Sequence, residues 1–259
     1  MKGAEQTSSQ ERAMIEREVH IPTADGTAQA FLFHPDTGGP FPAVIYETDI
    51  RGIRPVFMEM ARKVAAAGYA VLMPNLFYRV SPLPVIDPAL AWGSDACMAR
   101  FGELFTAVTP DGLTRDHAAI LKYLETLPNV IADKVAIVGY CMGGTAAFRV
   151  AGALPEKFAL AASFHGGRLA NDAPDSPHLN AGKIQALLYF GHAADDASMT
   201  QEMVARLEAA LDAAKVDYVT DHYAARHGYA VKDNPSYDAA AEERHWERLF
   251  EMLARTFEI

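Results

Sequence analysis

Short apolar runs and longer amphipathic stretches alternate along this chain, and the alternation predicts most of its architecture. Residues 16–21 and 28–34 flank Ala24-Asp25-Gly26, a turn signal, and read as an antiparallel hairpin. Residues 43–46, 69–73, 135–138, 158–164, 185–190 and 216–222 are short and mostly apolar, as strands covered on both faces are. Helical spacing occupies 55–67 up to Gly68, 111–127 up to Pro128, 199–214, and 237–258. A weaker helical pattern covers 94–108, inside a stretch from 75 to 110 that Pro82, Pro84 and Pro88 break up. Strands that alternate with helices form a mostly parallel sheet between two helical layers. The expected fold class is therefore α/β, with an N-terminal antiparallel hairpin, in a single domain over 15–259. The polar residues 1–14 read as a tail.

The stretch 134–147, KVAIVGYCMGGTAA, organises the rest. A buried strand turns sharply there into a helix of small residues that runs to Ala153 and stops at Pro155. Gly139 and Gly143 stand two residues before and after Cys141, the spacing of a nucleophile elbow. Such a turn projects its central side chain at the carboxyl end of the sheet, onto the amino terminus of the next helix. Backbone N–H groups and the helix dipole favour a thiolate in that position. The flanking glycines argue against an inert core cysteine.

Composition narrows the partners. A chain of 259 residues can bury a full sheet, and a formal net charge of -10 without a Lys/Arg run disfavours nucleic acid or an anionic membrane. An anionic small molecule is not excluded, because a few local arginines can dominate a pocket. Two cysteines, Cys97 and Cys141, make no disulfide framework and point to a reducing, cytoplasmic compartment. The N-terminus lacks the apolar core of a secretory signal, and no apolar stretch approaches the roughly 20 residues of a membrane helix.

A thiol nucleophile needs a base, and the base needs an acid to orient it. Asp195 and Asp196 both follow the strand at 185–190, and His227 sits in a loop beyond the last strand. Nucleophile, acid, base is the chain order of α/β-hydrolases, with Cys in the usual Ser position. Either aspartate satisfies that order. Among the nine histidines, His222 lies on a strand and His165 ends one, which leaves His227 best placed. His192 shares no metal-ligand spacing with a second His or Cys, so no metal is expected, and the chemistry needs no organic cofactor.

The segments VGYCMGG, MPNLFYR, HGYAV and AAEERHWERLFEML resemble the dienelactone hydrolase family of α/β-hydrolases, over most of the chain from about residue 43 onward. The resemblance implies Cys141 as nucleophile, His227 as base, and Asp196 as acid, judged by its spacing to Thr200. It implies an oxyanion hole from the N–H groups of Met142 and Ile50. In Asp49-Ile50-Arg51-Gly52, Asp49 stands where the dienelactone enzymes have a Glu that receives the resting thiol's hydrogen bond, with Glu47 a weaker stand-in. Arg79 matches the first of two carboxylate-binding arginines. The second falls on Val231, beside Lys232, and Val cannot reproduce a bidentate guanidinium pair, so Arg51 or Arg54 is expected to compensate. The implied activity is hydrolysis of a small ester or lactone, of carboxymethylenebutenolidase type, through an acyl-thioenzyme. A general short-chain carboxylesterase or thioesterase, and a non-turnover ligand binder or redox sensor, are the rival readings. Oligomeric state is not legible.

Overall fold

The computed structural model describes residues 13–258. Its strands are β1 (Met14–Thr23), β2 (Gly26–Pro35), β3 (Phe41–Glu47), β4 (Ala70–Pro74), β5 (Val130–Tyr140), β6 (Phe158–Phe164), β7 (Leu187–Asp195) and β8 (Tyr218–Arg226). The helices are α1 (Pro55–Ala66), α2 (Asp95–Ala107), α3 (Pro110–Glu125), α4 (Met142–Ala153), α5 (Gln201–Ala214) and α6 (Ala239–Phe257). The strands form one sheet in the order β1-β2-β4-β3-β5-β6-β7-β8. β1 and β2 pair antiparallel, as does β2 with β4, and the pairings from β4 through β8 are parallel. This is the α/β-hydrolase architecture with an N-terminal hairpin.

Strand periodicity sorts the core into two layers. Along β3, Ala43 and Ile45 pack among side chains of α3, α4 and α5, whereas Val44 and Tyr46 meet α1 and α6. Glu47 follows Ile45 on the same face and is fully buried, its Oε1 2.8 Å from His117 Nε2. Burial alone would lower the His117 pKa, but the facing Glu47 outweighs it and raises it. Glu47 is thus committed to α3.

Several boundaries differ from the sequence expectation, and three of the differences have a plain physical reason. β1 begins at Met14, paired with Pro35, so the expected tail loses its last residue; residues 1–12 lie outside the described part. β7 runs past Phe190 through Gly191 and His192, because the parallel ladder with β8 continues to the Asp195–Arg226 pair. β8 consequently ends directly before His227. The weak helical pattern becomes α2, capped by Ser94 Oγ accepting from Cys97 N at 3.3 Å. Only Cys97 and Leu104 of α2 are buried. Met98, Phe101, Gly102 and Phe105 of the same helix line a cavity together with Cys141.

Candidate active site

Cys141 occupies a strained turn between β5 and α4, with φ 54° and ψ −117°. A Cβ at Gly139 would overlap the Gly143 carbonyl, and one at Gly143 would overlap the Thr48 carbonyl. Strand, turn and helix can touch only because both positions lack side chains. Cys141 N donates to Phe164 O at 3.0 Å, and Gly144 N returns to Cys141 O at 3.1 Å. The local sequence therefore fixes the thiol at the amino terminus of α4.

The partners arrive from the ends of β7 and β8. His227 Nδ1 donates to Asp196 Oδ2 at 2.7 Å, and the Asp196 side chain is only 2% exposed. The other carboxylate oxygen accepts from Ser198 N at 2.8 Å and from Ser198 Oγ at 2.6 Å. The His227 ring and Cys141 line the same cavity. Burial pulls the His227 pKa down, but the negative charge of a Cys141 thiolate, helped by Asp196, pushes it up to about 10. For Asp196, burial works upward, and His227 and Ser198 overcome it to hold the carboxyl below its ordinary value. Asp195 is exposed and sits 3.4 Å from Arg226 instead. It is Asp196 that meets the imidazole.

Sequence reasoning missed Ser198. The signal was present as Asp196-Ala197-Ser198, the side-chain-to-backbone turn that aspartate favours. Ser198→Ala removes one charged hydrogen bond from Asp196, so kcat/KM for an aryl ester should fall about tenfold. Losing a donor raises the Asp196 pKa, so the acid limb of the pH–rate profile should move to higher pH. An unmoved limb would assign Ser198 a purely structural part.

The other candidates lie elsewhere. His165 is fully buried at φ 40°, edge-on to His227 with 5.2 Å between ring centroids. Burial drives its pKa well down, so it is a neutral wall behind the imidazole. His222 is exposed on β8, and His192 stacks on Phe190 with its pKa pushed down by burial to about 4. None of the three lines the cavity that Cys141 and His227 share.

Met142 and Ile50 do line that cavity. Met142 is the first residue of α4, where an N–H has no intrahelical acceptor. The Ile50 N–H has no backbone or side-chain partner among the described residues. Asp49 and the expected arginines are not brought there. Both Asp49 carboxylate oxygens accept from the Arg54 guanidinium, at 2.6 and 2.8 Å, and Oδ1 also accepts from Arg51 N. Arg54 and Arg51 are further held by Asp233, at 2.7 and 3.3 Å. Arg79 is gripped by Asp116 and by Asp25 at 2.7 Å each. Asp49, Arg51, Arg54 and Arg79 all stand outside the cavity wall. Val231 is buried core, and Lys232 faces Glu242 at 3.7 Å.

The profile of the dienelactone hydrolase family matches residues 28–257. The chain belongs to this family. Within the dienelactone hydrolase family, carboxymethylenebutenolidase 1 of Cupriavidus pinatubonensis is 26% identical over 229 residues, 88% of this chain and 92% of that protein. A dienelactone hydrolase-like promiscuous phosphotriesterase, P91, from metagenomic libraries superposes with a TM-score of 0.76 at 23% identity, covering 94% of this chain and 99% of that one. The latter likeness supports the fold. Family membership makes the protein a hydrolase of the ester and lactone type. No helix among the described residues is long and apolar enough to cross a membrane.

Proposed function

We propose that this hydrolase cleaves a small ester or lactone through Cys141, His227 and Asp196 by way of an acyl-thioenzyme. One observation carries the reading: Asp196 bonds His227 at 2.7 Å, and the Cys141 thiol and that imidazole face one cavity. The Cys141 thiolate attacks the carbonyl carbon, and the carbonyl oxygen takes up the negative charge. The N–H groups of Met142 and Ile50 stabilise that oxyanion, each contributing on the order of 3 kcal/mol. His227, as imidazolium, gives its proton to the departing alkoxide. The C–O bond breaks and a thioester remains.

Acylation then changes the base. Forming the thioester removes the thiolate charge, which is the strongest influence raising the His227 pKa. The imidazole can therefore stay neutral near pH 7 and take a proton from the attacking water. Collapse of the second tetrahedral intermediate releases the acid and restores the ion pair. Asp196 stays ionised throughout and holds the ring.

Because Arg79 is held outside the cavity, a carboxylesterase of broader range is favoured over an enzyme shaped for one dienelactone. Trapping the intermediate tests the mechanism. Acid quenching during turnover of 4-nitrophenyl acetate, followed by peptide mass spectrometry, should find acetyl on Cys141. Full turnover with no covalent adduct at any quench time would sink the acyl-thioenzyme.

A further inference from the structure

The cavity is larger and more apolar than a small lactone requires. Its volume, about 880 Å³, lies near the top of the range of roughly 300–1,000 Å³ for drug-sized ligands. One wall is a stripe of α2, where Met98, Phe101 and Phe105 recur at helical spacing. Met98 is 56% and Phe105 50% exposed, so two large apolar side chains of one helix face are left to whatever enters.

Three arginines reach the same cavity. Arg149 donates to Asp175 O at 2.7 Å and lies 3.5 Å from its carboxylate, and Arg226 lies 3.4 Å from Asp195. Arg168 has no carboxylate within ion-pair distance among the described residues, and its guanidinium carbon sits 5.7 Å from the centre of the Phe105 ring. Its backbone is held on both sides of the reacting groups. Arg168 N donates to Ser198 O at 2.7 Å, and the preceding Gly167 O accepts from Thr145 Oγ1 at 2.7 Å, one turn from Cys141. These clamps keep Arg168 at φ 56°, a left-handed conformation that Gly or Asn adopts with less strain.

We infer that Arg168 determines specificity by binding a carboxylate at the far end of an ester whose hydrocarbon body lies along Met98, Phe101 and Phe105. The kinetic side of this inference rests on ester hydrolysis at Cys141; the binding side does not. Arg79, the arginine expected from sequence, has no part in it.

The kinetic test compares 4-nitrophenyl hydrogen suberate with its neutral methyl ester. The wild-type preference for the anionic ester, expressed as a ratio of kcat/KM values, should fall about tenfold in Arg168→Gln and less in Arg168→Lys. Arg79→Gln should leave the ratio within about twofold, as an arginine outside the pocket must. The binding test uses calorimetry with 4-phenylbutyrate on Cys141→Ala, where Kd should rise about tenfold when Arg168→Gln is added. If the wild type hydrolyses neither ester but the binding difference holds, the hydrolase reading fails and the Arg168 site stands. If esters turn over while ratio and Kd ignore Arg168, or follow Arg79, the Arg168 site is overturned and the hydrolase stands. Absence of 4-phenylbutyrate binding would equally overturn it.

Discussion

Replacing Cys141 by alanine should lower kcat/KM for an aryl ester about 10,000-fold while the protein keeps its fold. The size follows from losing the nucleophile and the ion pair together, leaving only the oxyanion donors and the cavity. Retention of the fold follows from the turn. Alanine at φ 54° meets the same backbone strain as cysteine, and the bonds of the Cys141 N–H and C=O do not involve the side chain. The same variant has a second readout, on the proton. His227 titrates at about 10 while a thiolate faces it, so in the intact enzyme the imidazole is protonated across neutral pH and loses its proton only as pH rises toward that value. Without the thiolate, Asp196 alone opposes burial, and the ring should titrate well below its intact-enzyme value by NMR. An imidazole still titrating near 10 in Cys141→Ala would mean that another charge holds the proton, and the acylation-driven change of role would fail.

What could be read from the sequence divides by how local its cause is. The elbow was legible because its two glycines flank Cys141 at a short fixed spacing, even though the contact that demands Gly143 comes from Thr48 in a distant part of the chain. The sheet was legible because buried parallel strands need short apolar runs. The choice between Asp195 and Asp196 was harder, since it depends on how far the β7 ladder runs before the chain leaves it. Residue-level spacing left both open, and the family resemblance favoured the one that meets His227.

The arginines were misplaced for the opposite reason. Arg79 belongs to a local motif, but its position is fixed by Asp25 and Asp116, 54 and 37 residues away. Arg54 is fixed by Asp233, 179 residues distant. No periodicity reports such pairs. A buried or half-buried guanidinium goes to the carboxylates that satisfy its donors, and those carboxylates come from other loops. Arg168 went unnoticed in sequence because nothing adjacent to it marks the left-handed turn or the stripe of α2 it faces.

The largest effect on the fold is expected at Gly139. In Gly139→Ala the new Cβ would run into the carbonyl carbon and oxygen of Gly143 and the amide nitrogen of Gly144. All three are backbone atoms, so no rotamer relieves the overlap. The strand cannot retreat either, since Gly139 pairs with Glu47 of β3 on one side and Ser163 of β6 on the other. The start of α4 must move instead, carrying Cys141 and the Met142 N–H away from His227. Overpacking against soft side chains costs about 1–3 kcal/mol, and against backbone the loss should reach about 3 kcal/mol or more. For a chain of this size that is a fall of about 6–12 °C in Tm. Activity should fall further than stability accounts for, by about 100-fold in kcat/KM, because a displacement near 1 Å spoils attack geometry. Gly182→Ala supplies the comparison: a Cβ there meets nothing within 4 Å, so its Tm and kcat/KM should stay close to wild type. If thermal melts and aryl-ester kinetics show the two alanine variants behaving alike, the close contact between β5 and α4 is not what positions the thiol, and the glycines flanking Cys141 must be there for another reason.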